Sequence, residues 1–144
     1  PILDGFVALP QADVKVPYVD TDDIADVVVE ALLNEEHNGK IYQLTGPRLL
    51  TFKDVIKEIS DATERDITFT PIALTAYTKA MKQQGVPSDF IWLIAYLFSE
   101  VLGNANNAEV TNDIETILGR KPKDFSEYIR ETAQSGIWNP VLAN

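Results

Sequence analysis

The segment from Lys15 to Gly46 constrains the fold most, because its hydrophobic spacing changes from strand-like to helix-like and back. Val16–Val19 combines β-branched and aromatic residues, which is typical of a buried strand. Apolar residues then recur at helical spacing at Ile24, Val27, Val28, Ala31 and Leu32. Ile41–Thr45 is a second strand pattern, and Gly46 with Pro47 ends it. A strand–helix–strand unit predicts parallel strands joined by a right-handed crossover.

Three acids, Asp20, Asp22 and Asp23, lie between the first strand pattern and the helix. Carboxylates at a helix start accept hydrogen bonds from unpaired N–H groups and suit the positive end of the helix dipole. We expect Asp23 to cap this helix. A calcium loop starting at Asp20 would need an oxygen ligand, a glycine and an acid where Ile24, Ala25 and Ala31 stand, so that kind of site is excluded.

Shorter patterns predict the remaining elements. Gly5–Leu9 and the alternating segment Asp66–Pro71 are predicted strands. Thr51 begins a helix in which Asp54 takes the place of the usual Glu or Gln of a capping box. Four further helical patterns cover Ala73–Gln84, Pro87–Leu102, Thr111–Leu118 with Thr111 as its cap, and Asp124–Ala133; a polar loop is expected at Asn104–Glu109 and a tail at Ser135–Asn144. Trp138 is the expected anchor of that tail.

Several strings carry a resemblance to a known family. They are V-x-Y-V-D-x-x-D-I-A-D-V from Val16, G-K-I-Y-Q-L-T-G-P-x-x-L-T-F from Gly39, G-V-P from Gly85 and L-G-R-K-P-x-D-F from Leu118. Together they resemble the second half of the NmrA-like, atypical short-chain dehydrogenase/reductase proteins, from about Phe6 to Ile129. The first string is shared widely among such reductases, and the later ones favour the NmrA-like branch. The resemblance implies a protein whose first half is a dinucleotide-binding Rossmann domain.

Pattern and resemblance together predict an α/β fold. Residues 1–66 would form the last strand–helix–strand portion of a Rossmann-type parallel sheet, and residues 67–144 a small, mostly helical C-terminal lobe on the substrate side. The length of 144 residues fits one compact unit overall. The chain begins at Pro1 without Met, which suits a fragment, or a processed or trimmed chain.

Glycine spacing argues against a cofactor site within the chain itself. A dinucleotide needs closely spaced glycines, so that backbone can approach the pyrophosphate at a helix start. Here no two of the seven glycines lie within six residues of each other. We therefore expect NAD(P) in the parent protein, by resemblance, and none bound by this chain alone.

Familiar catalytic motifs are missing from the sequence. None of the five tyrosines has Lys four residues later, although many NmrA-like members also lack that pair. His37 is the single histidine and sits in a polar stretch, where we expect it to be exposed to solvent. With no Cys and no G-x-S-x-G, both a zinc site and hydrolase chemistry are disfavoured.

Aromatic residues in the second half leave two interpretations open. At helical spacing they can form core, or some of them can line a pocket facing a cofactor domain. Since the family's C-terminal lobe shapes the substrate site, the resemblance implies that Pro71, Tyr77 and Phe90 bind substrate. Aromatic rings there would suit a flat, apolar molecule such as a quinone.

The charge and composition of the chain limit the kinds of molecule that it is expected to bind. The net charge of −10 would repel a phosphate backbone, so nucleic acid is not expected. The longest apolar run, Phe90–Phe98, is too short for a membrane span, and the lack of Cys fits the cytoplasm. If the Rossmann half is separate, the unpaired strand edges would bind that half or a second copy of the chain.

Three functions follow from these observations. The first is the substrate-binding portion of an NAD(P)H-dependent oxidoreductase acting on a small apolar acceptor. The second is a non-catalytic, NAD(P)-sensing regulatory protein that contacts a protein partner. The third is a stand-alone domain without a cofactor half. Turnover of NAD(P)H with simple quinones separates the first two.

Overall fold

The computed structural model of this chain describes residues 2–104 and 108–139. Two short parallel strands, β1 (Phe6–Leu9) and β2 (Thr68–Pro71), form its sheet, with Phe6 opposite Thr68 and Leu9 opposite Pro71. Both strands were predicted from the sequence and are confirmed. Parallel strands require a long crossover, and of the helices within this one, the helix Phe52–Thr63 packs against β2.

The helices correspond to the patterns predicted for them. They are α1 (Thr21–Leu33), α2 (Phe52–Thr63), α3 (Leu74–Gln83), α4 (Ser88–Tyr96), α5 (Asp113–Leu118) and α6 (Phe125–Gln134). A 3-10 turn at Glu35–His37 follows α1, and a π-helical turn at Leu97–Val101 continues α4. Within the described ranges, each helix is too short or too polar to cross a bilayer.

Helix caps confirm one prediction and correct two. The capping box of Thr51 and Asp54 at α2 is present, with both reciprocal hydrogen bonds made. Asp20, not Asp23, caps α1, because its carboxylate accepts from the Asp22 N–H at 2.8 Å. Asn112, not Thr111, precedes α5, since the Thr111 side chain is engaged with the backbone of Gln43.

The strand pair predicted around α1 is wrong in its details. Val16 forms an isolated antiparallel bridge with Leu50, and Ile41–Thr45 belongs to no strand ladder. Side chains bind the latter segment instead: the Gln43 N–H donates to Asp113 Oδ2 at 2.7 Å, and its carbonyl accepts from the Thr111 hydroxyl. The α/β class with a parallel sheet is confirmed, but β1 and β2 supply that sheet.

The core joins the sheet to two helices. Its buried members are Val7, Ile56, Ile59, Ile67 and Ile129, from β1, α2, the entry to β2, and α6. Trp138 packs against this cluster, and its carbonyl accepts from Arg65 Nη1 at 2.7 Å, which confirms it as the anchor of the tail. The rest of the predicted tail, residues 140–144, and part of the predicted loop, residues 105–107, lie outside the described residues. A division near residue 66 stays a prediction.

Helix α4 contributes less to the core than its apolar sequence suggests. The π-helical turn after it carries Phe98 into the interior, where its ring contacts those of Phe52 and Tyr77. Phe90 and Leu93 are each half-exposed, and Trp92 is exposed more than either. Phe98 is thus a core residue of this chain, whereas the other aromatic side chains of α4 are exposed.

Candidate functional site

The carboxyl ends of β1 and β2 mark the first candidate region. In open α/β sheets, ligands bind outside the carboxyl ends of the strands. A loop follows β1 there, and the Ile72 N–H donates to the Leu9 carbonyl at 3.2 Å just before α3 begins. Gln11 in that loop has φ +58°, a left-handed conformation that costs a non-glycine residue energy and often accompanies function.

A cleft lies beside this edge. Its volume is about 380 Å³, and it is lined by the loop residues Gln11–Lys15 together with Leu102, Gly103, Asn104 and Ala108. The cleft therefore connects the loop after β1 with the end of the π-helical turn. A small ligand could contact backbone and apolar side chains from both.

The three predicted substrate residues lie on three successive elements of the chain, β2, α3 and α4. Pro71 ends β2 and is exposed, and Phe90 on α4 is 50% exposed. Tyr77 on α3 is half-buried, and its ring centroid lies 5.7 Å from that of Phe98 in an edge-to-face arrangement. None of the three lines the 380 Å³ cleft. Their assignment to substrate stays a prediction.

Helix α4 presents stacked aromatic rings to solvent. Trp92 and Tyr96 stack with ring centroids 5.6 Å apart and planes 18° apart. Helix α4 packs on α3, which itself follows β2 directly. Aromatic surface is thus available on the lobe that begins at the carboxyl edge.

Asp23 has a different role from the predicted cap. Its carboxylate is almost fully buried, and it accepts from Arg120 Nη1 at 2.6 Å and from the Lys123 N–H at 2.7 Å. Arg120 also donates to Asp26 at 2.6 Å. Hydrogen bonds to Asp23 and then Asp26 raise the pKa of Arg120. These contacts fasten α1 to the segment before α6.

Lys123 completes this brace. Its ammonium lies 3.2 Å from Glu131, 3.3 Å from Asp20 and 3.6 Å from Asp22. Hydrogen bonds to Glu131 and Asp20 raise the pKa of Lys123 above its ordinary value. The acids that lead into α1 are therefore structural, and within the described residues no group of three or more His, Cys, Asp or Glu side chains could hold a metal ion.

Arg48 forms a second brace that the sequence reasoning missed. It donates two hydrogen bonds to Glu58 on α2, at 2.6 and 2.8 Å, and two to Asp124 at 2.7 and 2.9 Å. Asp124 also caps α6 through the Ser126 N–H. The guanidinium holds the pKa of Asp124 well below its usual range, and its bonds to Glu58 and Asp124 raise the pKa of Arg48. No local pattern signals this pairing, because Arg48 and Asp124 lie 76 positions apart in the chain.

The free energy of unfolding should therefore decrease at acidic pH, because Asp124 becomes protonated there. Its pKa is lower in the folded chain than in the unfolded one, so its contribution is present above the unfolded pKa near 4 and is lost as the pH falls below it. Asp124→Asn can still cap α6 but cannot titrate, so its free energy of unfolding should fall less between about pH 6 and pH 2. Urea titrations at a series of pH values measure this.

The matched control for that experiment is Asp66→Asn, which alters an exposed carboxylate before β2. It makes the same chemical change at a carboxylate outside the Arg48 brace, and the two variants are compared at each pH. Equal slopes for the Asp124 variant and the unchanged chain would contradict the assignment.

His37 is not exposed as predicted. Its side chain is only 8% exposed, and Nδ1 lies 2.8 Å from the Tyr42 hydroxyl, with the two rings meeting edge to face. The polar sequence around it concealed this pairing, because Tyr42 lies beyond the turn at Gly39. His37 thus fastens the end of α1 to the segment after it.

The glycines do not form a dinucleotide cradle. A Cβ at Gly46 would lie 1.7 Å from the Tyr18 carbonyl oxygen, and one at Gly103 would lie 2.5 Å from that of Ser99. Both glycines are therefore needed for contacts within the chain. The expectation that this chain alone binds no NAD(P) stays a prediction.

Comparison with known proteins agrees with the resemblance to NmrA-like proteins that the sequence motifs predicted. No family model matches the chain. It is 25% identical to the uncharacterised oxidoreductase YesF of Bacillus subtilis, over 94% of this chain and 46% of that protein. It is 29% identical to the NAD(P)H azoreductase of Xenophilus azovorans, over 90% of this chain and 45% of that protein.

A solved structure shows the same fold. The NADPH-dependent quinone oxidoreductase of Escherichia coli, solved with NADPH, superimposes with a TM-score of 0.76 at 17% identity, over 91% of this chain and 46% of that one. The chain thus resembles the C-terminal half of NmrA-like NAD(P)-binding proteins, as the sequence predicted. It spans less than half the length of these relatives.

Proposed function

We propose that this chain is the substrate-binding portion of an NAD(P)H-dependent oxidoreductase that reduces a quinone or a similar small apolar acceptor. The observation that carries the proposal is the match to oxidoreductases along nine-tenths of the chain. One relative is named as an azoreductase, and one structural neighbour as a quinone oxidoreductase. Both names describe reduction of flat, conjugated molecules.

We propose that the two halves of the protein bind different molecules, the cofactor in one half and the acceptor in this chain. Gly46 and Gly103 approach backbone within this chain, and its glycines are widely spaced in the sequence, so we assign the cofactor to the other half. This chain would bind and orient the acceptor, and its aromatic rings near the carboxyl edge of the sheet support that role. Pro71, Tyr77 and Phe90 are the residues we propose for contact with it. The cytoplasm is the proposed location, where NAD(P)H is available.

The outer face of α1 is where we propose that the cofactor-binding half docks. Val28, Val29, Leu32 and Leu33 expose about half to four-fifths of their surface there, and Ile41 is 96% exposed. Domain faces that stay in water rarely carry so many adjacent apolar side chains. Because the chain matches only the C-terminal half of its relatives, the remaining half is the natural occupant.

The activity test joins this chain behind the first half of the Escherichia coli quinone oxidoreductase. The fusion should consume NADPH with a simple quinone, and the chain alone should not bind NADPH. A fusion that binds NADPH but reduces no member of a broad quinone and azo-dye panel would favour the regulatory alternative.

Tyr77→Ala and Phe90→Ala in this fusion should each raise the KM for quinone about five- to tenfold. The reason is that loss of an aromatic contact removes roughly 1 kcal/mol of binding. Pro71→Ala should have a smaller effect in the same direction. Steady-state kinetics measure KM and kcat. The control is Ile137→Ala, because that side chain lies on the tail and is 68% exposed. Unchanged KM and kcat in all three variants would remove these residues from the site.

A further inference from the structure

The turn that follows the 3-10 helix carries an asparagine and a glycine in succession, Asn38 and Gly39. Of all the asparagines in the sequence, Asn38 alone is followed by glycine. In any asparagine, the main-chain nitrogen of the next residue can attack the carbon of the side-chain amide. A side chain on that next residue obstructs the attack, and glycine has none. The dipeptide therefore has a chemical reactivity that neither the reductase proposal nor the two ionic braces uses.

The two reacting groups are accessible. Asn38 and Gly39 are exposed, and within the described residues neither the Asn38 side-chain amide nor the Gly39 N–H has a hydrogen-bond partner. The Asn38 main-chain N–H donates to the Glu35 carbonyl at 3.0 Å. The Lys40 N–H donates to the His37 carbonyl at 3.1 Å, so the bonds that hold the turn leave the reacting groups free. A Cβ at Gly39 would have no atom within 4 Å, which leaves room for the turn to rotate into the geometry of attack.

Two similar positions in the chain lack this combination. Asn34, which precedes the same 3-10 helix, donates a side-chain N–H to Glu30 at 2.5 Å, and the residue after it is not glycine. Asp4 precedes Gly5, and an aspartate before glycine can close the same ring. The Gly5 N–H, however, donates to the Ile2 carbonyl at 3.2 Å. In each case one reacting group is already hydrogen-bonded, and the turn after the 3-10 helix differs from both.

We propose that Asn38 is a site of spontaneous deamidation and isomerisation. The Gly39 nitrogen forms a bond to the side-chain amide carbon of Asn38, and the bond from that carbon to its own nitrogen breaks. Ammonia leaves with the proton lost from Gly39, and a cyclic imide remains. Water then opens the imide at either of its two carbonyl carbons. The products are aspartate and isoaspartate, each with one more negative charge than asparagine, and neither an oxidant nor a reductant is needed.

Isoaspartate changes the backbone as well as the charge. Its main chain runs through the former side chain and gains one carbon atom between Asn38 and Gly39. The turn closes through the contact of His37 Nδ1 with the Tyr42 hydroxyl at 2.8 Å, so the longer backbone should loosen that contact. Ile41, 96% exposed, lies inside the same closure and belongs to the proposed docking face of α1. Isoaspartate here should therefore weaken docking, a consequence that rests on the proposed function, whereas the reaction itself does not.

Mass spectrometry of peptides from the chain, stored in mildly alkaline buffer, measures the reaction. Replacement of the amide NH₂ by OH identifies each converted peptide, and an isoaspartate-specific methyltransferase distinguishes the two products. Asn38 should convert at least about tenfold faster than Asn34, and Gly39→Ala should slow its conversion about tenfold, because a methyl group obstructs the attack. No conversion at Asn38, an equal rate at Asn34, or an unchanged rate in the Gly39→Ala variant would overturn the proposal.

The effect on docking has its own measurement. Ion-exchange chromatography separates the modified forms by their added charge, and sedimentation equilibrium should show about two- to fivefold weaker association for the isoaspartate form. Asn38→Asp carries the charge without the extra carbon and should weaken association less. Unchanged association of the isoaspartate form would overturn its effect on the docking face. A chain that stays monomeric in every form would contradict the docking proposal instead, and the peptide masses still decide the reaction at Asn38.

Discussion

Arg120→Met is expected to lower the free energy of unfolding by about 3–5 kcal/mol. Asp23 is 1% exposed, and Arg120 is the cation that neutralises it. Removing the guanidinium leaves a buried carboxylate with one remaining donor, the Lys123 N–H. Although the Arg120 side chain is 45% exposed, its loss costs more than that of a surface pair, because the stranded Asp23 charge stays out of water. Urea unfolding followed by circular dichroism measures the change.

Asp26→Ala provides the matched control for this prediction. Asp26 binds the same guanidinium at the same 2.6 Å, but its side chain is 58% exposed. Its loss should cost at most about 1 kcal/mol, as for other surface pairs. The double variant Asp23→Asn with Arg120→Met should recover part of the loss, since no buried charge is then stranded. Equal losses for Arg120→Met and Asp26→Ala would show that the burial of Asp23 does not matter.

The sequence predicted the local elements well, because their causes are local. The spacing of apolar residues located α1, and the pair Thr51 and Asp54 located the start of α2. Short alternating segments located β1 and β2. Each of these signals lies within one or two turns of chain, where side-chain period and capping chemistry decide the structure.

The two ionic braces were missed because they depend on distant partners. Asp23 and Arg120 are 97 positions apart, and Arg48 and Asp124 are 76 apart, so spacing along the chain carries no trace of either pair. The same holds for Ile41–Thr45, since a strand exists only where a neighbour completes its ladder. For the candidate site, the resemblance to the family implied Pro71, Tyr77 and Phe90 as substrate residues. It could not give their exposure, which depends on packing between α3 and α4.

The exposed face of α1 leads to the second large expected effect. The chain by itself should associate with further copies through Val28, Val29, Leu32, Leu33 and Ile41, because no other element of the described chain covers them. Leu32 and Leu33 are 81% and 76% exposed, so replacing them should not disturb the core. Leu32→Asp with Leu33→Asp should weaken association at least 100-fold, since burying each leucine contributes about 1.5–3 kcal/mol.

Sedimentation equilibrium over a range of concentrations measures this association. Ile137→Asp places the same charge at another exposed apolar side chain and should leave the association unchanged. A monomer at high protein concentration would contradict the predicted association. An equal affinity in the double variant would mean that the copies do not contact each other through α1.

In the fusion with a cofactor-binding half, the unchanged chain should no longer associate, because that half then occupies the α1 face. The same double variant should lower the stability of the fusion, since the apolar contact between its halves is lost. Association of the chain alone and stability of the fusion are thus two independent tests of the exposed apolar face of α1.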